Sequence, residues 1–164
     1  MLTVQGQGWD LGIFHPPCTY LTNAGARWLF EKPGRWQLLD EAIAFFNACG
    51  EGIPKVAKEN PWPHKWALER IGWPTCKMQP YEHGERQKKG ICWWLKNLPP
   101  LLPSAMVGPP PDPGTAEAKA WEAVWREPPG PMQKINRSRT LPGVAKALAW
   151  QWGGDVRIAS QPEP

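Results

Sequence analysis

No two of the four cysteines, Cys18, Cys49, Cys76 and Cys92, stand in a C-x-x-C spacing, so the sequence offers neither a zinc ribbon nor a dithiol redox motif. No apolar run approaches the roughly 20 residues that span a bilayer. The N-terminus has no basic start followed by an apolar stretch, as a signal peptide would. A cytoplasmic protein with reduced thiols and no membrane partner is therefore expected. Charge of one sign is also scarce, with 19 Lys and Arg against 15 Asp and Glu, a net charge of +4 and a pI near 9.0. That balance is compatible with a polyanion partner without requiring one. Tyrosine occurs only 2 times while tryptophan occurs 12 times. A length of 164 residues is enough for one core and short for two ordinary domains.

What is abundant is proline and glycine: 21 and 16 residues, roughly twice the usual share. The prolines cluster at 99–113 and 128–131, which predicts a long irregular segment inside one domain spanning 1–153, with 99–131 as a Pro-rich insertion or linker and 154–164 as a disordered tail. Residues 9–14 read as a buried strand, stopped by Pro16 and Pro17 because neither can donate to a ladder. Trp36, Leu39, Ile43 and Phe46 recur at helical spacing over 35–49. A second strand is expected over 53–58, a helix over 64–71 ended by Gly72, and further strands over 75–79 and 91–95. Residues 116–126 predict a short helix with Ala120, Val124 and Trp121 inward. A closing helix over 144–152 would turn Val144, Ala147, Leu148 and Trp152 inward. Strand, helix, strand, helix, strand predicts an α/β fold with a mostly parallel sheet.

Two short motifs fall at the expected strand ends. His15-Pro16-Pro17-Cys18 follows the first strand and Glu59-Asn60-Pro61 follows the second, where α/β sheets gather ligand sites. A cysteine is most often a small buried hydrophobe, the reading taken for Cys49, Cys76 and Cys92. Cys18, after two prolines in a strand-exit loop, is the candidate nucleophile. Glu59 is the candidate acid or hydrogen-bonding partner.

Pro-Pro-Cys followed by Glu-Asn resembles the signature pair of the DNA cytosine-5 methyltransferases, and the similarity is greatest to short phage and prophage proteins described as cytosine methyltransferases. The resemblance implies a truncated Rossmann-like methyltransferase core. It also implies that Cys18 adds to C6 of cytosine, that Glu59 hydrogen-bonds near N3, and that the base leaves the duplex to reach them. Pro17 and Asn60 would line the substrate site. The charged turn Gly84-Glu85-Arg86-Gln87-Lys88-Lys89 resembles the family's Gly-x-Pro-Gln-x-Arg turn, which gives Gln87 and Lys89 a substrate-binding role. Arg137-Ser138-Arg139-Thr140 and the helix after it resemble the family's closing motif. Arg86, Lys88, Lys134, Arg137 and Arg139 are the candidate DNA phosphate contacts.

Four departures accompany the likeness. His15 stands where the family has glycine, Thr19 where it has glutamine, and Pro61 where it has valine. The glycine-rich turn that would cradle S-adenosylmethionine, the cofactor the family implies, is missing ahead of Trp9. The expectation is therefore a truncated product or a misassigned start, working in the host cytoplasm if phage-encoded. It would bind DNA weakly and rely on a homodimer or a partner for the cofactor half. The rival readings are a non-catalytic DNA-binding remnant, a cofactor-independent enzyme acting on a base or nucleotide through the same Cys–Glu pair, and a structural phage protein whose Pro-rich strand binds a partner.

Overall fold

The structure, a computed structural model, describes residues 8–154. All but Gly154 of the expected tail at 154–164, and all but Gly8 of the stretch preceding Trp9, lie outside the described residues. The chain divides into two compact units, one made of the chain up to Met78 with Gly90–Pro100, the other of Gln79–Lys89 with the chain from Leu101 onward.

The first unit carries β1 (Leu11–Phe14), α1 (Asn23–Ala26), α2 (Trp28–Glu31), α3 (Arg35–Ala48), β2 (Lys55–Asn60), α4 (Lys65–Ile71), β3 (Cys76–Met78) and β4 (Ile91–Lys96). The four strands form an open mixed sheet in the order β1-β2-β4-β3. The α/β class holds, but the expected mostly parallel pairing does not. Only β1 and β2 pair parallel; β4 runs antiparallel to both β2 and β3. The reason lies in the connection after β3. It contains no crossover helix, only a 3-10 turn at Pro80–Glu82, and a chain returned without a crossover comes back antiparallel. β4 then inserts between β2 and β3, so β1, β2 and β3 still share one direction.

Residue spacing explains the core. Leu39, Ile43 and Phe46 on α3 are buried together with Leu21, Leu29, Ala67 and Ile71, each large side chain contributing roughly 1.5–3 kcal/mol by leaving water. Trp36, expected on that inward face, is instead exposed. It sits in the first turn of α3 and packs edge-on against Phe30 and Trp66 at the surface. Neither α1 nor α2 is expected from the sequence, because one-turn helices are too short to show a period.

The second unit carries α5 (Ala116–Trp121), α6 (Ala123–Arg126), α7 (Gln133–Ser138) and α8 (Pro142–Trp152). The single helix expected over 116–126 is broken at Glu122; of its expected inward face Trp121 is buried, Val124 is half-buried and Ala120 is exposed, with Ala118 buried instead. In α8 the expected face is the buried one: Val144, Ala147, Leu148 and Trp152. Residues 99–113 form no helix or strand. Among the described residues no helix is long and apolar enough to cross a membrane.

Candidate active site

β1 and β2 end side by side. Their parallel register runs from Leu11 opposite Lys55 to Phe14 opposite Lys58, so the next residues, His15 and Glu59, face each other. His15 Nδ1 donates to Glu59 Oε2 at 3.1 Å. The imidazole also stands edge-on to Trp93, with ring centroids 6.2 Å apart. Glu59 and Asn60, expected just beyond the second strand, are its last two residues and pair with Trp93 and Cys92 of β4. Glu59 is thus held by a ladder on its backbone and by His15 on one oxygen. Its side chain stays 16 % exposed, and nothing among the described residues bonds Oε1.

The loop leaving β1 is fixed at almost every carbonyl. Asn60, only 1 % exposed, donates from Nδ2 to the Pro16 carbonyl at 2.8 Å. Arg35 donates to the Thr19 carbonyl at 3.2 Å while its guanidinium lies over the Tyr20 ring. His64 caps α4 by accepting from the Ala67 N–H through Nδ1, which leaves Nε2 protonated to donate to the Tyr20 carbonyl at 2.9 Å. The His64 N–H reaches the Leu21 carbonyl at 2.9 Å. The Cys18 carbonyl accepts from the N–H groups of Leu21 and Thr22 and from the Thr22 hydroxyl. Gly25 completes the frame, because a Cβ there would lie 2.7 Å from the Thr19 carbonyl oxygen.

Cys18 is exposed on this frame. Cys49 and Cys92 are buried, and burial raises both thiols above their ordinary value, Lys58 partly opposing it at Cys49. Cys92 reaches about 11, with the charge of Glu59 adding to the effect and Lys77 opposing it. Such thiols hold no reactive thiolate near neutrality. Cys76 is half-buried. Among the described residues no three His, Cys, Asp or Glu side chains converge as a metal site would need.

A surface cavity of about 580 Å³ opens elsewhere in this unit, lined by Cys49, Lys58, Trp94 and Lys96 among others, and includes neither Cys18 nor Glu59. Its lysines are already engaged. Lys58 donates to the Phe46 and Asn47 carbonyls at the end of α3, a cationic helix cap. Lys96 donates to the Ile53 carbonyl.

The remaining sequence-derived candidates belong to the second unit. Gln87 has Oε1 buried without a partner. Lys89 donates its backbone N–H to Gln79 Oε1 and its ammonium to the Arg139 carbonyl. Lys88 lies 4.0 Å from Glu122. Arg86, Lys134, Arg137 and Arg139 are exposed, and Lys134 and Arg137 stand three residues apart on α7, on neighbouring positions of one helix face.

Sequence reasoning missed two contributors to the site. His15 counted as the first residue of the His15-Pro16-Pro17-Cys18 motif and as a departure from the family, with no chemical role, and Asn60 as a substrate residue rather than the buried clamp on Pro16. A signal for His15 was present: extending the parallel register by one residue past Phe14 and Lys58 sets it against Glu59. Comparison with protein-family models, with curated proteins and with solved structures finds no match to this chain.

Proposed function

We propose that the Cys18 corner performs covalent chemistry on cytosine of the DNA cytosine-5 methyltransferase type. One observation carries this reading: Asn60 and His15 tie the loop that bears the exposed Cys18 to the end of β2, the strand end that bears the largely buried Glu59 carboxylate, across a parallel strand pair. The Cys18 thiolate adds through Sγ to C6 of cytosine, and the displaced electron pair moves to C5 and N3. Glu59 Oε1 serves the ring near N3 while Oε2 stays on His15. C5 then takes a proton from solvent, releases the proton it first carried, and expels the thiolate from C6. A frame that holds the carbonyls around Cys18 supports this, since covalent catalysis gains from a nucleophile positioned beforehand.

That β1, β2 and β3 share a direction, with β4 reversed among them, supports a Rossmann-like core, because doubly wound folds often carry an antiparallel strand in a parallel sheet. S-adenosylmethionine fits the described residues poorly. β1 leaves into two prolines and β2 into Pro61, and neither exit is a glycine-rich turn opening a helix. No step is therefore routed through a methyl donor. Under this reading DNA is the substrate and the donor half comes from a second polypeptide. Exposed Arg86, Lys134, Arg137 and Arg139 are its phosphate contacts, with Lys88, Gln87 and Lys89 beside them.

The test needs no donor. Cytosine in single-stranded DNA should exchange its C5 hydrogen with solvent in the presence of the protein. Exchange should vanish in Cys18→Ser and fall at least tenfold in Glu59→Gln. Absence of exchange, with Cys18 alkylating no faster than Cys49, overturns the proposal.

A further inference from the structure

The first unit carries exposed aromatic rings, Phe30, Trp36 and Trp73, beside the half-buried Trp28, Trp62 and Trp66. Of these Trp66 packs against the core, and basic side chains lie on several of the rings. Phe30, Trp36 and Trp66, from α2, α3 and α4, meet edge-on with centroids 5.1 to 6.0 Å apart. Phe30 is 66 % and Trp36 40 % exposed, and the Lys65 ammonium lies 4.7 Å from the Trp66 ring. Just beyond the two ends of α4, Trp62 and Trp73 pair at 5.8 Å. Trp73 is 72 % exposed, and Lys77 sits 3.6 Å over Trp62. A third group has Arg27 and Lys32 both over Trp28, at 4.0 and 4.3 Å.

Leaving such rings in water forfeits the stabilisation their burial would bring, and clustered exposed aromatics mark interaction surfaces. The chemistry of the occupant follows from the company the rings keep. Lysine is depleted from the centres of protein–protein interfaces, yet each aromatic group here carries one. Rings with cations beside them are what a single-stranded nucleic acid requires: faces for unpaired bases and positive charge for the phosphates between them. The acidic groups on the same helices are Glu31, Asp40, Glu41 and Glu69. Of these Asp40 is paired with Arg70 at 2.6 Å and Glu41 accepts from Gln37.

We propose that the α2–α3–α4 aromatic cluster and the Trp62–Trp73 pair form a sequence-tolerant binding surface for single-stranded nucleic acid. Phe30, Trp36 and Trp73 offer stacking positions, and Lys32, Lys65 and Lys77 meet the phosphates. This surface is distinct from the basic residues of the second unit, and it does not depend on cytosine chemistry at Cys18.

Titration of the full chain with oligo-deoxythymidine, which holds no cytosine, tests it by tryptophan fluorescence. The comparison strand is an abasic phosphodiester of equal length. The thymidine strand should bind at least tenfold more tightly than the abasic one. Phe30→Ala and Trp73→Ala, at the two most exposed rings, should retain the parent's circular dichroism and each weaken thymidine binding about five- to tenfold, leaving abasic binding unchanged. Lys77→Gln should flatten the salt dependence by roughly 0.7 in log–log slope. Equal affinity for both strands, or alanine variants that bind like the parent, overturns the proposal. So does self-association that Phe30→Ala abolishes in a protein that ignores the oligonucleotide, which would assign the face to a second copy of the chain.

Discussion

In the sheet unit, Leu21, Leu39, Phe46, Ala57 and Ala67 lose nearly all contact with water; the other unit buries Trp121, Val144, Ala147 and Trp152 as well, but its irregular segments, 79–89 and 101–113, are joined to their neighbours by hydrogen bonds. There Glu85 accepts the Gly143 N–H at 2.7 Å. Gln151 exchanges two bonds with the backbone of Leu102, and Ser104 and Ala105 donate to the Glu82 carbonyl. His83 meets Ser104 at 3.0 Å. An irregular, proline-rich chain presents no repeating apolar face, so its backbone groups must find partners one by one. The first kind of order is tolerant in detail and costly to hollow out. The second is exacting in geometry and sensitive to single polar changes.

Cutting each unit in its own idiom separates the two. Phe46→Ala should cost about 3–5 kcal/mol through the cavity it leaves, read as faster amide hydrogen exchange in β2 and β4. Gly143→Ala should cost roughly 1–3 kcal/mol, read in α8 and in residues 79–89, because a Cβ there would fall 1.8 Å from the His83 carbonyl oxygen. Equal effects of both variants on both sets of amides would dissolve the contrast.

The same contrast governs what the sequence reveals. Leu39, Ile43 and Phe46, like Val144, Ala147, Leu148 and Trp152, repeat with the helical period and turn inward as expected. Period fails at element ends and in single turns: Trp36 lies in the first turn of α3, and Ala120 in a six-residue helix. The insertion of β4 beside β2 depends on a pairing between residues far apart in the chain, which no local pattern encodes. Of the candidate site, the placing of Cys18 and Glu59 at the ends of β1 and β2 was legible because strand ends are legible. Their frame was not, since the bonds from Arg35, Asn60 and His64 to the loop carbonyls depend on tertiary geometry.

The pH dependence should also divide by unit. Cys92 in β4 is held protonated up to about 11, against 9.0 for an ordinary thiol. Between those values the unfolded chain has released a proton that the fold retains. Stability of the sheet unit therefore falls as pH rises through that window, by up to about 1.4 kcal/mol per pH unit, and Cys92→Ala should flatten the decline. His83 moves the other way, its pKa lowered from 6.5 by burial, with Glu82 partly opposing. Below 6.5 the unfolded chain takes up a proton that the buried ring refuses, so the second unit loses stability as pH falls. Denaturation followed by exchange in β4 and in α8, at pH 5.5, 7.5 and 10, checks both signs.

The smallest expected effect lies where the two idioms meet. The Cys18 corner belongs to the apolar unit but is pinned by polar clamps, and the two clamps differ in burial. Asn60 bonds Pro16 in the interior, so Asn60→Ala leaves a buried carbonyl without its donor and should cost about 1–3 kcal/mol. His15 is 47 % exposed; a pair so open to water is worth 0 to about 1 kcal/mol, and His15→Ala should stay within that range. Chemical denaturation of both variants, alongside the rate at which Cys18 is alkylated, measures the difference. Loss of the buried clamp should change Cys18 alkylation more than loss of the exposed one. If His15→Ala matches Asn60→Ala in both, the loop is held by its exposed pair, and the corner obeys neither idiom as drawn.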